Sequence, residues 1–232
     1  MFFGRGVNPV VIGRDADVHD AVRETVKARL YNGGQDCLAP DLVLVHEELA
    51  DDVVTQMRDA VEAHLAANGG ELAPLATDAT LVSAVRYLLE NAQGIEHGGG
   101  IDYLRRRVEP SIVRVSGAQA AEPVEHFAPI ISLATFADDA EVHALLNSDW
   151  HRENGFGMSL YGWDEQRAHL LSDHFMVAVD QSIAEAVGPF EPFGGFGAES
   201  GFIAENGARR LGPINITQTV AHSRLGTRRA GR

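Results

Sequence analysis

Cysteine is almost absent: Cys37 is the only one among 232 residues. That excludes an internal disulfide framework and suits a reducing compartment, so the cytoplasm is expected. The ten histidines are scattered, and none stands at a zinc-binding spacing from the lone thiol, so no metal site is expected. Long apolar runs are also missing. No stretch approaches the roughly 20 residues of a spanning helix, and the start Met1-Phe2-Phe3-Gly4-Arg5-Gly6 places no basic region ahead of an apolar one, so a soluble chain without an export signal is expected. Positive charge is scarce: 19 Lys and Arg face 33 Asp and Glu, for a net charge of -14. A nucleic-acid groove or an anionic membrane surface would be repelled by that field, whereas a basic partner or a basic small molecule is compatible with it. No Gly-x-Gly-x-x-Gly motif occurs, and Gly98-Gly99-Gly100 is followed by no lysine-serine pair, so it reads as a turn rather than a phosphate loop.

What is present is ample apolar content, 45% of residues, enough for one large domain or a domain with a small appendage. Asn8-Pro9-Val10-Val11-Ile12 reads as a strand entered from a turn. From Asp15 to Leu30, Ala16, Val18, Ala21, Val22, Val26 and Leu30 recur near a helical period, with Asp15 or Asp17 as cap. Leu42 to Val45 is a strand, and Ala50 to Asn68 a helix ended by Gly69 and Gly70. Thr80 to Ala92, Ala140 to Asn147 and Glu165 to Ser172 read as helices. Ile112 to Val115, Ile130 to Ala134, Gly157 to Tyr161 and Phe175 to Val179 read as strands. This alternation predicts an α/β sheet covered on both faces. Ile214 to Val220 alternates apolar and polar residues, which predicts a strand that either edges the chain's own sheet or joins a neighbouring subunit's.

Cys37 follows Asn32-Gly33-Gly34-Gln35-Asp36 and precedes Leu38-Ala39-Pro40. Glycines and polar residues suit a turn better than a core, which makes the thiol a candidate nucleophile. With Asn8-Pro9, Asp15-Ala16-Asp17, Gly34-Gln35-Asp36-Cys37-Leu38-Ala39, Val45-His46-Glu47, Glu125-His126-Phe127-Ala128-Pro129, Pro192-Phe193-Gly194-Gly195 and Ser200-Gly201 in this order, nearly the whole chain resembles the C-terminal half of the aldehyde dehydrogenase superfamily. The resemblance implies a three-layer α/β catalytic domain over residues 1–210, an oligomerisation strand over 211–223 and a basic tail over 224–232. It implies that Cys37 is the catalytic nucleophile adding to an aldehyde, and that Glu125 and Phe127 are cofactor-binding residues at the nicotinamide ribose and ring.

Departures from the family pattern accompany these matches. Alignment through Asn8-Pro9 puts Phe3 where the family has its general-base glutamate, and loss of such a base typically costs on the order of 10²- to 10⁴-fold in rate. The family's Rossmann-type cofactor domain and its oxyanion-hole asparagine align ahead of Met1, and one lost oxyanion donor costs roughly 3 to 4 kcal/mol. Ala128 replaces a glycine, Gly197 stands where many members have lysine, Ala198-Glu199 lengthens a loop, and Asp180 replaces an asparagine. NAD or NADP is therefore expected only with a partner chain, or not at all.

Blander readings stand beside these: Cys37 as a thiol held by packing, Glu125 as a loop carboxylate facing water, and Phe127 as a packing residue. His126 is the one histidine worth testing as a substitute proton carrier. Trp150, Phe156 and Trp163 read as core or interface aromatics, and Arg105-Arg106-Arg107 as a solvated face or a salt bridge to a partner. Three functions follow: a truncated or split aldehyde dehydrogenase-like subunit using Cys37 for aldehyde or acyl chemistry, with a partner bringing NAD(P); a cofactor-independent cysteine enzyme; or a noncatalytic scaffold. Each is expected in a homo-oligomer, or in a heteromer with a chain bearing the cofactor domain.

Overall fold

A computed structural model of the chain describes residues 2–187 and 194–212. Pro192-Phe193, the alternating segment Ile214 to Val220 and the basic tail lie outside the described residues. In chain order the elements are β1 (Phe2–Phe3), β2 (Pro9–Ile12), α1 (Val18–Leu30), β3 (Leu42–His46), α2 (Ala50–Ala67), α3 (Asp78–Glu90), β4 (Ile95–His97), β5 (Ile101–Asp102), β6 (Arg107–Val108) and β7 (Ser111–Arg114). They continue with α4 (Gly117–Ala121), β8 (Ile130–Phe136), α5 (Asp139–Leu146), α6 (Asp149–Asn154), β9 (Gly157–Tyr161), α7 (Glu165–His169), β10 (Met176–Val179), α8 (Ile183–Ala186), β11 (Gly201–Glu205) and β12 (Ala208–Leu211).

Seven strands form the main sheet in the order β10-β9-β2-β3-β8-β7-β4. Every pairing is parallel except β4 with β7, which is antiparallel and bulged between Ile95 and His97. Strands β2, β3 and β9 are buried at every position, as parallel strands covered on both faces must be. The period-two alternation divides their side chains cleanly. Val10, Ile12, Val43, Val45, Ile131 and Leu133 face α1 and α2, with Val22, Val26, Val53 and Met57 packed against them. Val11, Leu42, Leu44, Ala134, Met158 and Leu160 face the opposite layer, filled by Ala120, Val142, Leu146, Ala168 and Phe175. Beside it, α3 packs Leu81, Ala84 and Leu88 over Val113 and Ile130. The expected three layers are therefore present. A separate antiparallel sheet β1-β11-β12 and a small β5-β6 hairpin complete the described fold.

Local chemistry explains the boundaries. Asp17, not Asp15, caps α1 by accepting the Asp20 N–H at 3.1 Å. Gly69 and Gly70 follow α2 with φ of 82° and 84°, the left-handed conformation that glycine adopts at least cost. The predicted helix from Glu165 to Ser172 stops at His169, and its last residues form turns. Arg105, Arg106 and Arg107 pair within the chain, with Asp102, Asp78 and Glu71. Asp180 adopts φ 49° and accepts the Gly162 N–H at 3.0 Å, which makes it a turn residue. Phe156 and Trp163 are buried in the core, and Trp150 is half-buried.

Candidate functional site

The loops before β2, β3, β8 and β9 all lie at the amino ends of the parallel strands, and the predicted site residues sit on them. Helix α1 runs back from the carboxyl end of β2, and a 3₁₀ turn, Tyr31–Gly34, then reverses the chain. Asn32, Gly33 and Gly34 have positive φ there. A Cβ on Gly34 would come within 2.4 Å of the Ala128 carbonyl, so glycine lets the Cys37 loop lie directly on the Ala128-Pro129 backbone.

Beneath the loop lies a buried polar network. Asn8 Nδ2 donates to the carbonyls of Cys37 at 2.9 Å and Ala39 at 3.2 Å, while its Oδ1 accepts the Gly157 N–H at 3.1 Å. One side chain thus joins β2, the Cys37 loop and β9. Arg29, fully buried, donates to Asp41 Oδ1 at 3.0 Å, to the Pro40 carbonyl at 3.1 Å and to the carbonyls of His126 and Ala128. Asp41 also accepts the His126 N–H at 2.8 Å. Burial pushes the Asp41 carboxyl up to about 6, opposed by the Arg29 charge and the N–H donors, so it is ionised at neutral pH. Sequence reasoning missed Asn8, Arg29 and Asp41 as a unit. The available signal was an aspartate between Pro40 and the apolar run Leu42 to Val45, a place that demands a partner.

Glu125 and Phe127 come together, lining a cleft of about 270 Å³ with Thr80 and Ser83 of α3 and with His126. Glu125 Oε1 accepts the Gly6 N–H at 3.4 Å. Burial and then the nearby Asp41 charge push its carboxyl up to about 7. Phe127 is 40% exposed, and its ring stands at the surface. His126 is buried, its Nε2 3.3 Å from Ser132 Oγ, which is 2.7 Å from the Tyr87 hydroxyl. Burial and the Arg29 charge hold this imidazole well below its ordinary range, so it stays neutral instead of carrying protons near pH 7. A dinucleotide needs more than this wall supplies. The lining residues include no lysine, no arginine and no glycine loop to meet a diphosphate, and the volume suits a single ring.

Cys37 does not join that cleft. It is exposed, and its loop follows the carboxyl end of α1 rather than opening a helix, so no helix N-terminus lowers the thiol pKa. Withdrawal of water by the flanking protein pushes the thiol up, and the Asp36 and Glu125 charges push it further. Among the described residues no group of three or more His, Cys, Asp or Glu is placed to hold a metal ion. These findings correct the expectation of cysteine-based aldehyde or acyl chemistry, with a partner's cofactor or without one: Cys37 is a lone exposed thiol held in its protonated form.

The described residues form further clefts. One, about 550 Å³, lies between α1 and α2, away from the Cys37 loop. Another, about 390 Å³, lies between the end of α2 and the β5-β6 hairpin, and a third, about 340 Å³, lies beside Asp36 and Leu38. No helix among the described residues is long and apolar enough to cross a membrane.

Comparison with known proteins agrees with this architecture. The chain is 26% identical to 4,4'-diapolycopene-4,4'-dial dehydrogenase of Cytobacillus firmus, covering 87% of this chain and 45% of that protein. It is 29% identical to a non-phosphorylating aspartate-semialdehyde dehydrogenase of Halomonas elongata, covering 96% and 46%. The chain thus spans a little under half the length of these curated relatives. Among solved structures, substrate-bound AldH of Staphylococcus aureus superposes with a TM-score of 0.74 at 22% identity, covering 91% of this chain and 45% of that one. Succinate-semialdehyde dehydrogenase of Burkholderia pseudomallei gives 0.73 at 24% identity, covering 92% and 44%. Both show the same fold. Residues 4–220 match the aldehyde dehydrogenase family, and the chain belongs to that family.

Proposed function

We propose that this chain is a noncatalytic member of the aldehyde dehydrogenase family, contributing its folded α/β body to an assembly rather than turning over an aldehyde. The observation that carries this reading is the setting of Cys37: an exposed thiol raised by desolvation and by two carboxylates, with no cation committed to it among the described residues. Among the described residues the only fully buried cation beneath its loop, Arg29, spends its donors on Asp41 and on three backbone carbonyls. A thiol of that kind is a poor nucleophile at neutral pH.

In this reading Glu125 and Phe127 are ligand-contact residues, and any NAD or NADP touching them would draw its phosphate ligands from a partner chain. The assembly is a homo-oligomer or a heteromer, and the cytoplasm is the compartment that a single unpaired cysteine suits. The test is aldehyde-dependent NAD(P) reduction by the purified chain, alone and with everything that co-purifies. No reduced nicotinamide is expected, and Cys37→Ala should leave the subunit composition of the assembly unchanged. Steady turnover that disappears in Cys37→Ala would overturn the reading.

A further inference from the structure

Four asparagines directly precede a glycine in the sequence: Asn32, Asn68, Asn154 and Asn206. An asparagine in this setting carries a latent reaction, because the next backbone nitrogen can attack its side-chain amide carbon and glycine puts no Cβ in the way. The shared successor makes the four nearly equal in an unfolded chain, so a large difference among them is set by the fold. Three are held. Asn32 Nδ2 donates to the Gln35 carbonyl at 3.2 Å, Asn68 Nδ2 to the His64 carbonyl at 2.8 Å, and Asn154 Nδ2 to the Trp150 carbonyl at 2.9 Å. Gly155 is held as well, its N–H donating to the His151 carbonyl at 2.7 Å.

Asn206 is not held. It and Gly207 form the exposed two-residue turn between β11 and β12, where Glu205 pairs with Ala208. Both have positive φ, 51° and 80°, as a type I′ hairpin turn requires. Among the described residues neither the Asn206 side chain nor the Gly207 N–H has a hydrogen-bond partner, and the space beside Gly207 is open. The amide is free to turn, the attacking nitrogen is free of a carbonyl, and water reaches both.

We infer that Asn206 is a site of spontaneous covalent modification, converting in the folded chain to aspartate and its β-linked isomer ahead of the other three asparagines. The Gly207 nitrogen forms a bond to Asn206 Cγ and gives its proton to water. The Cγ–Nδ2 bond breaks, and the amide nitrogen takes up a proton and leaves as ammonia. Water then opens the resulting succinimide at either carbonyl carbon, so the net change is one water in and one ammonia out, with no oxidant or reductant. Either product places a new carboxylate beside Glu205. The β-linked product also adds a methylene to the main chain, so the Glu205–Ala208 pairing that closes β11 on β12 no longer fits a two-residue turn.

The experiment ages the full chain in mildly alkaline buffer below its thermal midpoint and, in parallel, in concentrated urea. Digestion at mildly acidic pH and mass spectrometry then follow the amide-to-acid mass gain of each Asn-Gly peptide, and methyl transfer by an isoaspartyl methyltransferase marks the β-linked product. In the folded chain Asn206 is expected to convert at least about fivefold faster than Asn32, Asn68 or Asn154, the factor for one hydrogen bond that must break before an amide turns. In urea the four rates should converge. Asn206→Gly keeps a residue suited to positive φ and should remove most of the ammonia that the folded chain releases. Conversion at Asn206 no faster than at the held asparagines, a lead that persists undiminished in urea, or ammonia release unchanged in Asn206→Gly would overturn the inference.

Discussion

Asp41 and Arg29 make the sharpest energetic statement at the scale of single residues. Their pair is buried and hydrogen-bonded on both sides, so removing one partner leaves an uncompensated charge in the interior. Asp41→Ala is expected to cost about 3–5 kcal/mol, read as a lowered urea midpoint with an unchanged denaturant slope. A loss under about 1 kcal/mol, the range of exposed pairs, would show that water reaches the site. This network was poorly legible in the sequence for a physical reason. Arg29 occupies the last turn of an amphipathic helix, where arginine ordinarily faces solvent and offsets the helix dipole, and nothing in α1 alone says that its guanidinium turns inward. Cys37, Glu125 and Phe127 were legible as loop residues, and the turn before Cys37 was announced by its glycines. The setting of the thiol was not, because it depends on Glu125, which is remote in sequence.

Among the elements, the longer helices and the buried strands were read from periodicity, since Val22 and Val26 in α1, or Leu42 to Val45 in β3, carry enough positions to establish a face. The pieces that escaped are short. Strands β5 and β6 have two residues each, and α4, α6 and α8 have four to six, too few to show a period. Their serine caps Ser116, Ser148 and Ser182 were the remaining signal. One short helix carries a testable consequence. His151 of α6 is buried, donating its Nε2–H to the Ala120 carbonyl at 3.1 Å, with Nδ1 unpartnered among the described residues. Burial holds it down to about 4. Its folded pKa lies below its unfolded value, so the unfolded chain binds the proton first. The stability it contributes is complete above the unfolded pKa near 6.5 and is lost as pH falls toward about 4. Glu125 and Asp41, raised by burial, act with the opposite sign over the same range, so the wild-type curve alone is a poor readout. The stability gap between wild type and His151→Gln is expected to shift by on the order of 3 kcal/mol in favour of the variant between pH 6.5 and pH 4. A pH-independent gap would mean that His151 is hydrated in the folded protein.

For the molecule as a whole, charge and topology set the behaviour. A net charge of -14 on 232 residues makes self-repulsion a destabilising term. Raising ionic strength from about 0.01 M to about 0.15 M is expected to raise the thermal midpoint, because the Debye length shrinks from roughly 30 Å to 8 Å. A falling midpoint would show that the surface ion pairs, such as Arg14 with Glu48, outweigh the repulsion. The α/β class was readable from the alternation of elements, but the location of the site was not. Open α/β sheets ordinarily gather ligands at the carboxyl ends of their strands, whereas here Asn8, the Cys37 loop and the Glu125 loop meet at the amino ends. That arrangement depends on Asn8, whose side chain is satisfied only when Gly157, 149 residues later, has arrived. At a ribosomal rate of roughly 5–20 residues per second, β2 therefore leaves the ribosome on the order of 10 s before β9 exists to cover it. For that interval an interior strand of the future sheet is a bare apolar edge, and the nascent chain is a substrate for chaperones before it is a domain.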